Sequence, residues 1–173
     1  MWREGIFRYR RGLPITEWVI SVDGAVTQTA TSDYTAMVIA GWSPGTQQVV
    51  IAYANQWRCT GRQLREKILR AKAENPHLKR VILERNQGGE RWAEILLPLP
   101  GLELELYASS APKPVRLGWS FDQYERGAVV HTQRFDELEE QALDWPDVEH
   151  DDLIDANAAA IDDLISRCAL GIR

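Results

Sequence analysis

No stretch of this sequence approaches the roughly 18 consecutive apolar residues that a membrane span requires, which argues against a bilayer-crossing helix. The start, "MWREGIFRYRRGLP", has no apolar core of the kind a signal peptide carries. Cysteine and histidine are both scarce. Cys59 and Cys168 lack CxxC spacing and only three histidines accompany them. A zinc site is therefore disfavoured, and both thiols are expected to be packing residues in a reducing, intracellular setting. The glycine-rich phosphate loop GxxxxGK(S/T) is missing. So are internal repeats, low-complexity tracts and any composition break marking a second domain. What remains is ordinary for a globular protein: 173 residues, 45% hydrophobic and 26% charged, enough for one domain with a single sizeable core.

The net charge of −5 conceals an asymmetry. Residues 136–163 hold 12 of the 25 acids and no Lys or Arg, whereas residues 1–134 carry 18 basic residues against 13 acids, a balance of +5. Such a chain can face a polyanion with one surface and concentrate carboxylates at another. Charge alone is equally compatible with a solvated acidic helix and scattered surface cations.

Apolar periodicity gives the element order. "EWVISVD" (17–23), "YTAMVIAGWS" (34–43) and "TQQVVIAYANQW" (46–57) read as three consecutive antiparallel strands, the last two joined by the turn signal "SPG". "TGRQLREKILRAKAENP" (60–76) reads as an amphipathic helix with Thr60 as cap and Pro76 as stop. Strands follow at 79–84, 102–108 and 128–132, and helices at 88–98, 113–127 and 134–145, before an acidic helix closes the chain. The predicted class is α/β, a mixed sheet with three antiparallel strands followed by parallel ones and flanked by helices. Residues 1–16, rich in arginine and aromatics, stand apart as a linker or arm, with the domain proper at 17–173.

Carboxylates fall at three loci. Asp23 ends the first strand and Glu84 ends "KRVILE", just before "RNQGG"; in open sheets, ligand-binding groups gather at the carboxyl ends of strands. The third locus is "EHDDLIDANAAAIDDLI" (149–165), where Asp151, Asp152 and Asp155 open a helix. Residues three and four apart share a helix face, so these like charges repel. Capping and the helix dipole account for one or two of them; the third asks for a cation. If the strands are neighbours, all three loci converge. Oxygen-only clusters suit Mg²⁺ or Mn²⁺, and two such ions roughly 3.5–4 Å apart serve in-line displacement at phosphorus. Taking Ile154, Ala158, Ile161 and Ile165 as the buried stripe, Asp151 lies about 60° from Ile154, Asp155 about 100° and Asp152 about 200°. Helical geometry thus favours Asp151 and Asp155, unless the helix begins at Asp152, in which case the angles lapse for the cap residues.

"VISVDGA" with "TSDYTAMVIAG", "VVIAYANQW", "VILERNQGG", "KPVR", "FDQYERGAVVH" and "HDDLIDANAAAI" together, in this order and spacing, resemble the nuclease domain of the tailed-phage terminase large subunit. The resemblance covers nearly the whole chain and implies an RNase H-like (retroviral-integrase-like) fold. It implies a metal-dependent endonuclease that cuts double-stranded DNA during viral genome packaging, inside the infected bacterial host, with two Mg²⁺ or Mn²⁺ ions. Carried onto this sequence, the catalytic metal ligands would be Asp23, Glu84 and Asp152, with Asp151 as understudy and Asp155 as a second-metal or supporting residue. The partners implied, besides DNA, are the terminase ATPase motor domain, the small terminase subunit and the portal. The first dozen residues would be the remnant of the connection to the motor.

Lys113 and Arg116 in "APKPVR" could clamp DNA phosphates or offset charge near the metals, and Arg85 stands beside Glu84 in a glycine-containing turn. His150 is a candidate supporting partner of the aspartates, and Asp33 a strand brace. The same carboxylates would serve a junction resolvase or a transposase-like enzyme. A rival of another class is a non-catalytic module that docks motor or portal proteins.

Overall fold

The structure is a computed structural model and describes residues 2–24, 34–85 and 89–171, with Gly89 and Glu90 described by backbone alone. Asp33, Asn86 and Gln87 lie outside the described residues. The chain runs β1 (Glu17–Gly24), β2 (Thr35–Ser43), β3 (Gln48–Trp57), α1 (Gly61–Glu74), β4 (Arg80–Glu84), α2 (Gly89–Leu96), β5 (Glu103–Tyr107), α3 (Lys113–Glu125), β6 (Val129–His131), α4 (Asp136–Asp144) and α5 (Asp152–Leu164), ending in a π-helical turn, Ile165–Ala169. This is the predicted order, with ends trimmed by one to three residues. Thr60 closes a capping box with Gln63, each satisfying an amide the helix start leaves open.

The six strands form one sheet in the order β5-β4-β1-β2-β3-β6. β1 to β3 are antiparallel neighbours, while β4 runs parallel to β1, β5 to β4 and β6 to β3. This mixed sheet between two helical layers is the α/β arrangement that the strand pattern predicts, and it is consistent with the RNase H-like fold that the resemblance implies.

Two apolar cores follow from the two-residue period of the strands. Ile20, Val22 and Met37 point to one face, packed with Leu64, Ile68, Trp92 and Leu96 of α1 and α2. Val19, Ala36, Val38 and Ala40 point to the other, under Leu153, Ile154, Ala156, Ala160 and Ile161 of α5. Small residues on both sides let α5 lie close to β1, β2 and β3. α3 and α4 then cover its outer side, so α5 is buried nearly all round, with Leu153, Ala156, Asn157 and Leu164 covered as well. The narrow stripe expected from the sequence is therefore too narrow, because this helix is interior rather than a surface element.

Residues 2–16 lie on the domain itself. Trp2, Ile6 and Phe7 are buried against Phe121, Tyr124 and His131. The Arg10 amide donates to the His131 carbonyl at 2.7 Å and the His131 amide to the Arg8 carbonyl at 2.8 Å, so the arm shields the edge strand β6. The Tyr9 hydroxyl donates to Glu139, which bonds His131 Nδ1; His131 Nε2 meets the Tyr124 hydroxyl, which accepts from Asn157 of α5.

The far end of α5 is fixed by charge. Arg80, buried at the start of β4, holds Asp163 through paired bonds of 3.1 and 2.7 Å and also reaches Glu17 at 3.1 Å. Arg167 joins Glu105 at 2.7 Å. A buried ion with its partner removed is costly, so Arg80→Met is expected to lower stability by about 3–5 kcal/mol, as Asp163 stays buried without its main cation. Urea denaturation checks this; a loss below about 1 kcal/mol would show that the network is not holding the helix.

Candidate active site

The sheet brings the strand-end acids together by register. Val22 of β1 pairs with Leu83 of β4, so Asp23 and Glu84 follow side by side at the carboxyl ends of adjacent parallel strands. Tyr107, the last residue of β5, pairs with Glu84. Gly24 keeps β1 tight against β2 just past Asp23: a Cβ there would stand 2.8 Å from the Thr35 Cα. The Trp92 indole donates to the Gly24 carbonyl at 3.3 Å, tying this strand end to α2.

α5 delivers its acids to the same edge. The helix begins at Asp152, with Asp151 as its cap residue in a non-helical conformation (φ −127°, ψ 15°). The angular comparison therefore lapses for the first two aspartates. Asp151 makes no side-chain capping bond. The open Leu153 amide is instead satisfied by Gln141 Oε1 of α4 at 3.0 Å. Side-chain capping therefore does not account for Asp151, because a neighbouring helix supplies the acceptor.

The loci act on one another through their charges. Burial, then the charges of Asp155, Asp152 and Glu84, pushes Asp23 up to about 7, against relief from Lys113. Burial and then Asp151 raise Asp152; burial raises Asp155 despite the opposing pull of Lys113 and Arg116. Tyr107 is raised by burial, then by Glu84 and Asp23, so its phenol stays protonated. Acids from β1, β4 and α5 repel one another across one small edge.

Two cations from α3 stand among them. Lys113 Nζ lies 2.6 Å from Asp151 and 2.5 Å from Asp155; Arg116 lies 3.2 Å from Glu84 and 3.5 Å from Asp155. Among the described residues, no three His, Cys, Asp or Glu side chains are drawn into a ready ion cage; the carboxylates are spread over these two cations. Asp155 Oδ1 and Arg116 Nε are buried with no hydrogen-bond partner. The donor set fits a hard divalent cation: its acids offer only oxygen, and the buried Asp155 Oδ1 makes no hydrogen bond, with the Arg116 guanidinium 3.5 Å away as its ion-pair partner.

Arg85 follows Glu84 and is exposed. His150 meets Tyr34 edge-on with ring centres 4.9 Å apart, and the Arg58 guanidinium lies 5.0 Å from the same tyrosine ring, so His150 faces an aromatic and cationic strip beside the site. A cavity of about 410 Å³ opens between the β5–α3 loop, α3 and α5, with Tyr107, Trp119, Arg116 and Asp155 in its wall. Sequence reasoning missed Tyr107. Its signal was available in principle, since "LELELYA" ends level with "VILE" once the two strands are paired.

The class defined by this sheet and its carboxylate edge is the RNase H-like α/β fold. Solved structures with that fold narrow the comparison. The Mn-soaked, inhibitor-bound human cytomegalovirus terminase nuclease domain superposes with a TM-score of 0.65 at 16% identity, covering 97% of this chain and 93% of that one. The large terminase nuclease of thermophilic phage G20c with bound zinc gives 0.62 at 17% identity over 92% and 88%. The HK97 bacteriophage large terminase gives 0.65 at 13% identity, with 90% of this chain covered but 41% of that one. No protein-family model and no curated protein matches the sequence. At these identities the likeness establishes a shared fold with terminase nuclease domains. Among the described residues no helix is long and apolar enough to cross a membrane.

Proposed function

We propose that this protein is a metal-dependent endonuclease that cleaves double-stranded DNA during viral genome packaging, as the nuclease part of a terminase large subunit. The observation that supports this most is the register that sets Asp23 beside Glu84 at the ends of β1 and β4, with Asp155 of α5 tied to Glu84 through Arg116, on a fold shared with terminase nucleases. Asp23, Glu84 and Asp152 would be the principal ligands of two Mg²⁺ or Mn²⁺ ions, with Asp155 and Asp151 completing the oxygen set. Such ions activate a water for in-line attack on phosphorus and stabilise the leaving 3′ oxygen.

The chain's own residues have defined parts in this reading. Arg116 braces Glu84 of β4 against Asp155 of α5. Tyr107, a phenol held neutral, is a donor beside Glu84. Exposed Arg85 and half-buried Lys113 would meet backbone phosphates, positioning the duplex without reading its sequence. A motor domain joined through the arm, a small subunit and a portal would be its packaging partners.

Supercoiled plasmid tests the reading. Conversion to open-circular and linear forms is expected with Mn²⁺ or Mg²⁺ and none with chelator. Intact plasmid under every divalent condition, with the protein folded, favours a non-catalytic docking module instead.

A further inference from the structure

We propose that Lys113 is an internal counter-cation of the α5 carboxylates and becomes a phosphate ligand once a divalent ion displaces it, coupling ion loading to duplex grip through one side chain. This rests on the metal-nuclease reading above and names how that site is regulated.

The geometry separates Lys113 from its neighbour Arg116. Among the described residues, Lys113 forms ion pairs with acids that lead the last helix, at 2.6 Å to Asp151 and 2.5 Å to Asp155, and its side chain is 36% exposed. Arg116 spans two elements, from Glu84 on β4 to Asp155 on α5, and is 24% exposed. A guanidinium fork fixed at both ends is a brace. A strongly hydrated ammonium on a four-carbon stem with a path to water can leave. Lys113 also starts α3 between Pro112 and Pro114 and directly after the exposed Ala111–Pro112 stretch, so its stem is on the rim of the site rather than inside it.

Charge balance supplies the driving force. The Lys113 ammonium sits between the Asp151 and Asp155 carboxylates, one positive charge against two negative ones. Asp155, 11% exposed, shares one oxygen with Lys113 at 2.5 Å, while its other oxygen makes no hydrogen bond and faces Arg116 at 3.5 Å. An ion of charge two bound at Asp155 and Asp23 neutralises more of this repulsion than the ammonium does, and it repels the ammonium a few ångströms away. The freed lysine then faces the side from which an anionic duplex approaches. Before loading, Lys113 is withheld from DNA and the carboxylates are shielded. After loading, the same charge is redirected outward.

Coupling of this kind is reciprocal, which gives two readouts. Calorimetric titration of the metal-free protein with Mn²⁺ is expected to show about tenfold tighter binding for Lys113→Met than for wild type, within the range of roughly 5–150-fold typical of site coupling. Lys113→Arg should stay near wild type. Lys79→Met, an equal charge change at the opposite end of β4 from Glu84, should leave Mn²⁺ affinity unchanged. Fluorescence anisotropy with a short duplex should show that Ca²⁺ tightens DNA binding by wild type several-fold more than by Lys113→Met. Mn²⁺ affinity unchanged or weakened in Lys113→Met, with wild type binding the ion normally, overturns the coupling alone. So does an equal Ca²⁺ effect on duplex binding in both proteins. A wild type that binds no Mn²⁺ at all overturns the metal-site reading and the coupling with it.

Discussion

Asp23→Asn is expected to abolish metal-dependent cleavage while making the metal-free protein more stable at alkaline pH. In the unfolded chain this carboxyl titrates near 3.8; in the folded protein burial and then Asp155, Asp152 and Glu84 push it up to about 7. Between those values the folded state keeps a proton that the unfolded state has released. The stability associated with Asp23 is therefore fully present below about pH 4, and it is lost as pH rises through 7. At about 1.4 kcal/mol for each pH unit in that window, the loss is at most about 4.5 kcal/mol. Asparagine keeps the shape and never ionises. Asp23→Asn should thus melt about 5–10 °C above wild type at pH 8 without metal, and level with it at pH 4. Saturating Mn²⁺ should close the gap at pH 8, because only wild type gains the full binding free energy. Cleavage should fall roughly a thousandfold, equivalent to about 4 kcal/mol of barrier. Calorimetric melts at the two pH values decide the stability half: a variant that melts below wild type at pH 8, or a gap that does not change with pH, would show that Asp23 is not under charge stress.

This trade of stability for a poised anion explains which parts of the protein were readable in advance. The strand and helix order was legible because each element carries its own period and punctuation: "EWVISVD" alternates, "SPG" turns, Thr60 caps with Gln63 three residues on. The acids were legible as loci because strand ends and helix starts are local features. The arrangement of cations among them was not. Lys113 and Arg116 are candidates from the sequence for offsetting charge near the acids, but which carboxylate each one meets, Asp151 and Asp155 or Glu84 and Asp155, depends on the packing of α3 against α5. Gln141 gives no sign in the sequence that it caps a helix beginning 11 residues later, yet that bond takes the capping role from Asp151. Arg80 reads as one more basic residue opening a strand, and its burial against Asp163 depends on a helix 83 residues away. Pairings across elements are set by tertiary register, which local pattern does not carry.

The aspartates that open α5 should divide by function when each is changed to asparagine. Asp152 and Asp155 both act on Asp23 through their charge, Asp155 the more strongly. Asp155 is largely buried, with one oxygen that makes no hydrogen bond and faces Arg116 at 3.5 Å. Asp151, one residue before the helix, is 35% exposed and spends its carboxylate on Lys113 at 2.6 Å. An ion shared with Asp23 therefore finds its α5 oxygens at Asp152 and Asp155 first. Asp152→Asn and Asp155→Asn should each lower Mn²⁺-dependent plasmid cleavage by at least about a hundredfold, equivalent to roughly 2.7 kcal/mol of barrier. Asp151→Asn should retain activity within about tenfold of wild type, since its loss removes one partner of Lys113 and leaves Asp155 as the other. Near-normal cleavage by Asp152→Asn, alongside loss in Asp151→Asn, would move the metal ligand to the cap position and reverse this assignment. The metal-free melts make the comparison independent of catalysis. Neutralising Asp155 or Asp152 relieves Asp23 and should raise the melting temperature above pH 7, whereas neutralising the more exposed Asp151 should leave it within about 2 °C.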